Sequence, residues 1–140
     1  MGTVHAEITL KNAADEVRLR EGRLKEQEVR AVTVNAVVDT GAATLVINEE
    51  LRQKLGLIIV EERSVRLADG GRTDCKLTEP VDICWKDRHW VCTAAVLSNA
   101  ESVLLGLIPL EGMDLMVCPK TQELVGVHGD VIEFMVLCAA

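Results

Sequence analysis

Tyrosine is absent from the 140-residue chain, phenylalanine occurs once and tryptophan twice. That scarcity removes the aromatic platform on which unpaired bases stack. Fifteen Lys and Arg face 22 Asp and Glu, a net charge of -7, and no basic stripe is available to follow a phosphate backbone. Nucleic acid is therefore not an expected partner. Long hydrophobic runs are missing as well. Those around Val103 to Leu110 and Trp90 to Leu97 fall far short of the roughly 20 residues that a membrane-spanning helix needs. The opening Met-Gly-Thr-Val-His-Ala-Glu has neither a basic flank nor an apolar core and does not read as a signal peptide. Nor does Gly2 begin a myristoylation signal, since Ala6 stands where a hydroxyl residue is wanted.

The cysteines are too few and too scattered for a framework. Cys75, Cys84, Cys92, Cys118 and Cys138 are odd in number, show no Cys-x-x-Cys, and have only three dispersed histidines for company. The expectation is a cytoplasmic protein with reduced, mostly buried thiols and with no metal, cofactor or membrane partner.

What the chain does have is aliphatic residues. It is 49% hydrophobic, mostly Val, Leu, Ile and Ala, enough for one domain over residues 1–140 with a real core. Val4, Ala6, Ile8 and Leu10 alternate with polar residues as a strand with one buried face. From Asp15 to Arg30 both signs of charge crowd together. A polar hairpin and a short exposed helix both fit, and the alternation of Val17 and Leu19 with Arg18 and Arg20 favours the hairpin. Val32, Val34, Ala36 and Val38 form one face of a further strand. Asn48 caps a helix that runs through Glu49, Glu50, Arg52 and Lys54 and closes on Gly56.

Hairpins follow. Asp69-Gly70 between two strands is a strong turn signal, because both residues tolerate positive φ. Others are expected across Lys86-Asp87-Arg88 and Pro119-Lys120-Thr121, and His128-Gly129-Asp130 reads as a turn. Val131 to Leu137 is expected as a final apolar strand, a candidate to zip two copies together. The whole reads as an all-β domain with one or two short helices.

The stretch around which all this is arranged is Val37-Val38-Asp39-Thr40-Gly41-Ala42-Ala43-Thr44. An apolar strand delivers a carboxylate, a hydroxyl and a glycine at a tight turn, where the backbone can approach a ligand. Taken alone, such a tripeptide only reverses the chain. Its company is more telling: a short strand, the glycine-tipped Asp69-Gly70-Gly71 hairpin, and then Leu104-Leu105-Gly106. In this order the chain resembles the retropepsin-like aspartic proteases, most closely over residues 29–112, and in particular the small single-domain aspartyl proteases of bacteria and archaea. It departs from retroviral members after Gly106, where Leu107-Ile108-Pro109 replaces an Arg followed by Asn or Asp. The polar contacts of that Arg are lost, and the helix that follows is expected to be short.

The resemblance implies a closed β-barrel that works as a homodimer on peptide or unfolded protein. With one Asp-Thr-Gly per chain, the two carboxylates of an aspartic peptidase must come from two subunits. Asp39 would be catalytic, and Thr40, Gly41 and Ala42 would support its loop. Ala68, Asp69, Gly70 and Gly71 would form a flap over an extended substrate. Ala42 stands where pepsin-like enzymes carry a serine that donates to the carboxylate, so the resemblance implies a less acidic pH optimum than pepsin's. A retropepsin-fold binding module with little or no turnover is the alternative function.

Overall fold

The computed structural model describes residues 2–133. In chain order the elements are β1 (His5–Asn12), α1 (Ala13–Arg20), a 3-10 turn (Glu26–Glu28), β2 (Ala31–Val38), β3 (Leu45–Ile47) and α2 (Glu49–Leu55). Then come β4 (Ile59–Arg66), β5 (Arg72–Thr78), β6 (Val81–Trp85), β7 (Arg88–Cys92) and β8 (Ala94–Val96). β9 (Leu104–Leu105), α3 (Leu107–Gly112), β10 (Leu115–Cys118) and β11 (Glu123–Gly126) follow and are the last elements among the described residues.

Alternation dictates the centre of the molecule. Ala6, Ile8 and Leu10 of β1 face inward and pair in antiparallel register with β2, Ile8 opposite Val34 and Leu10 opposite Val32. Leu45, Ile47, Leu55, Leu57, Ile83 and Leu105 close the core, each at 0% exposure. α2 forms as its sequence requires. Asn48 accepts the Leu51 N–H at 2.9 Å, and Gly56 takes the left-handed conformation at φ 63°.

Three expectations need correction. The sheet is not a closed barrel. Nine strands run in the order β4-β5-β8-β3-β9-β2-β1-β6-β7, with β4 and β7 as separate edges, and β10-β11 form a sheet of their own. The side chains of β4 are exposed or only half-buried, so that edge has no apolar face with which to close against β7.

Residues 15–30 are not a hairpin. Ala13–Arg20 is a helix capped by Asn12, which accepts the Asp15 N–H at 3.1 Å. Acidic residues occupy its first turn and arginines its last, matching the helix dipole. Tertiary contacts decide this segment. Asp15 is 2% exposed and receives the Arg30 guanidinium through both Nε (2.8 Å) and Nη2 (2.9 Å), which holds its carboxyl below the usual range. Asn12 also donates to the Leu55 carbonyl at 2.9 Å, tying the start of α1 to the end of α2.

The Asp69-Gly70 tip is not a two-residue turn either. Arg66 pairs with Arg72 across five loop residues, and of the two residues expected at positive φ only Gly70 has it, at 87°. Asp69 instead accepts the Gly71 N–H through its side chain at 2.8 Å.

Other hairpins lie where expected, β6 with β7 and β10 with β11. Four free thiols stand among the described residues, of which only Cys75 is fully buried. Val131 makes an isolated bridge to His128 rather than starting a strand, and residues 134–137 of the expected final strand lie outside the described residues.

Candidate active site

Asp39 sits one residue beyond the end of β2, where two backbone interactions fix it. Val37 and Val38 run parallel to Leu104 and Leu105 of β9, and the Asp39 N–H donates to the Leu105 carbonyl at 3.0 Å. Beyond it the chain turns tightly. The Ala42 N–H donates to the Asp39 carbonyl at 3.1 Å, and the Gly41 N–H donates to Asp39 Oδ1 at 2.9 Å. Asp39 and Ala42 are half-buried, while Thr40 and Gly41 face solvent. The carboxylate is thus presented at a surface by a loop whose backbone is anchored on the core side.

Gly106 is the anchor. It precedes α3 and lies flush against the loop. A Cβ there would stand 2.2 Å from the Thr44 carbonyl oxygen and 2.6 Å from that of Ala42. This close approach lets the Leu107 N–H reach the Ala42 carbonyl at 2.8 Å and the Ile108 N–H reach that of Ala43 at 2.9 Å. Two free donors at a helix start are satisfied by the acceptors of the loop that carries Asp39. The six-residue α3 therefore supports the loop through its backbone, at the place where retroviral members carry the Arg that this chain lacks. A second tether comes from Thr44, whose hydroxyl donates to the Thr93 carbonyl at 2.8 Å and lies 3.7 Å from Cys92 Sγ. Sequence reasoning passed over Thr44. Its only signal is a β-branched hydroxyl residue at the foot of the turn.

Ala68, Asp69, Gly70 and Gly71 occupy the exposed tip of the β4–β5 hairpin, away from the core. The base of that hairpin joins the strand leaving the Asp39 loop through β8: Leu77 pairs with Ala95, and Ala94 with Leu45. Asp39, Thr40, Gly41, Ala42 and Gly106 are thus assembled into one unit, and the tip belongs to a separate arm. Among the described residues no group of three or more His, Cys, Asp or Glu could hold a metal ion. No helix among them is long and apolar enough to cross a membrane.

Comparison with known proteins bears on the fold and the family. The retroviral protease-like domain of Ddi1 from Leishmania major superposes with a TM-score of 0.56 at 16% identity, over 89% of this chain and 84% of that one. The EIAV protease complexed with the inhibitor HBY-793 aligns at 26% identity over 53% of this chain and 70% of that one, with a TM-score of 0.42. No protein of curated function matches. Residues 26–111, which hold both Asp39 and Gly106, match the model of the gag-polyprotein putative aspartyl proteases. The chain belongs to that family of retropepsin-like aspartic proteases.

Proposed function

We propose that the protein is a homodimeric aspartic endopeptidase that hydrolyses peptide bonds of extended peptides, with one Asp39 from each subunit flanking a single water. The observation that carries this reading is the Asp39-Thr40-Gly41 loop, held at a surface by β9 and Gly106 in a chain of this family. A chain with one such loop has half of a two-carboxylate site, and an isologous two-fold contact supplies the other half. Thr40 and Gly41 are exposed, and Leu107 (41%) and Ile108 (48%) put apolar surface beside them, as such a contact would require.

In that dimer two close carboxylates share one proton, since both cannot ionise cheaply. The ionised one takes a proton from the water, while the protonated one donates to the scissile carbonyl. The pair titrates as a unit. Thr40 would reach across the axis and hold the two loops together. The β4–β5 arm, tipped by Ala68 to Gly71, would close on a substrate bound as an added strand, excluding water. The free thiols suit a reducing compartment, and we assign the protein to the cytoplasm.

The test is digestion of an unfolded protein mixture from acidic to neutral pH, wild type beside Asp39→Asn, with the oligomeric state of both measured. Products from wild type alone, with both proteins dimeric, are expected. Products from both would refute Asp39 as the base, and products from neither would leave a peptide-binding module.

A further inference from the structure

At the far end of α3, opposite the Asp39 loop, a second cluster of ionisable side chains has no part in the proposed peptidase. Asp114 follows the helix with φ at 57°, and its side chain is 11% exposed. His128 Nδ1 lies 2.6 Å from Asp114 Oδ2, and His128 Nε2 lies 3.3 Å from Glu133 Oε2. The Glu133 N–H donates to the same Asp114 Oδ2 at 3.0 Å. Both ring nitrogens therefore face carboxylate oxygens. A neutral imidazole carries one N–H and one lone pair, so it can satisfy one of these contacts and must oppose a lone pair to an oxygen at the other. Only the imidazolium satisfies both.

Residues 131–133 form a short strap that reaches this cluster at Glu133. Ile132, the neighbour of Glu133, lines a cleft of about 550 Å³ together with Trp90, Val91 and Gly112. Val131 is 60% exposed and Ile132 48%, so these two side chains contribute little apolar burial to holding the strap.

We propose that His128 is a pH-operated clasp: as imidazolium it bridges Asp114 and Glu133 and keeps Ile132 on the Trp90 cleft, and on losing its proton it releases the strap and opens the cleft. Asp114, through its hydrogen bond, and then Glu133 hold the ring proton above the ordinary histidine range, so release falls on the alkaline side of 6.5. Other charges stand near the clasp, Asp130 in the same turn among them. Arg88 donates to the carbonyls of Met113 and Asp114 at 2.9 and 3.0 Å, also reaches that of Gly129, and favours ionised Asp114. Asp87 and His89 line the cleft, and His89 Nδ1 lies 2.9 Å from Asp82 Oδ1.

The experiment reads acrylamide quenching of Trp90 in a Trp85→Phe background. Quenching should rise about two-fold between about pH 6 and about pH 9 as the strap population shifts. His128→Ala should show the high value throughout. Glu133→Gln should keep the low value throughout, because its amide can donate to the neutral ring. His89→Asn should retain the transition. A flat profile in the parent, or a transition that survives His128→Ala, would overturn the clasp. Should His128→Ala fail to fold by circular dichroism, a transition unchanged in Glu133→Gln would overturn it instead.

Discussion

Replacing Gly106 by alanine strikes the contact that holds the Asp39 loop in place. The new Cβ would stand 2.2 Å from the Thr44 carbonyl oxygen, 2.6 Å from that of Ala42 and 2.8 Å from the Thr44 nitrogen. All three are backbone atoms, so no side chain can rotate aside and either the loop or α3 must move. Overpacking of this kind costs about 1–3 kcal/mol. The movement also stretches the bonds from Leu107 and Ile108 to the loop, each worth about 1 kcal/mol. The expected loss is about 3–5 kcal/mol, a large share of the roughly 5–15 kcal/mol that holds a typical domain together. For a chain of this size it lowers Tm by about 10 °C or more. Gly22 is the control: its φ is +75° and nothing lies within 4 Å, so Gly22→Ala meets only the backbone penalty, about 1–2 kcal/mol. Thermal and urea unfolding of both variants gives the comparison. If Gly106→Ala melts no lower than Gly22→Ala, the loop is not held by that contact.

Three further predictions concern the core's polar ties. Glu16 is half-buried beside Asp82, and burial first, then the neighbouring carboxylate, push its value from 4.5 up to about 7. The folded state thus binds the extra proton, so stability falls as pH rises from 4.5 to about 7. Glu16→Gln should flatten that window and gain about 1 kcal/mol at neutral pH, the full shift being reduced by solvent screening; a curve unchanged in urea titrations would refute this. Asp15 has the opposite sign. Its folded value lies below 3.8, so its contribution is present above that pH and is lost as pH falls through the folded value. Asp15→Asn should cost about 2–3 kcal/mol at neutral pH, because the Arg30 bidentate pair is broken at a buried carboxylate with a half-exposed partner. A cost under about 0.5 kcal/mol, the range of ordinary surface substitutions, would mean the pair is ornamental. Arg88 is 5% exposed and serves the carbonyls of Met113, Asp114 and Gly129. Arg88→Met should lose about 3 kcal/mol by leaving buried acceptors unmet, and Arg88→Lys should recover only part of it.

The elements that were legible in the sequence are those specified locally. Asn48 and Gly56 bracket α2 by capping chemistry, and the inward residues of β1 and β2 announce themselves by a period of two. The Asp39 turn and Leu104-Leu105-Gly106 were readable as a pair through the resemblance to retropepsin-like proteases, and the fold joins them in the parallel β2–β9 contact. The misread segments depend on distant partners. Val17 and Leu19 alternate as a strand would, yet Asp15 is fixed by Arg30 and the residues between them follow. Barrel closure depended on an inward face for β4 that its charged residues do not provide. The tip at Asp69-Gly70 carries the dipeptide of a two-residue hairpin, but an Asx-type bond to Gly71 widens it. Thr44 carried only the weak signal of a hydroxyl residue at the foot of the turn and the Asp114–His128 pair carried none, because each contact joins residues that only the fold makes neighbours.

The central claim is that two Asp39 carboxylates, one from each subunit, act together. Mixing wild type with Asp39→Asn under conditions of subunit exchange, at constant total protein, measures this directly. If the dimer is the working unit, peptidase activity falls as the square of the wild-type fraction, to about one quarter in an equal mixture, since only about a quarter of the dimers then hold two aspartates. Activity that falls in simple proportion, to about one half, would mean that a single chain carries the chemistry and would contradict the account.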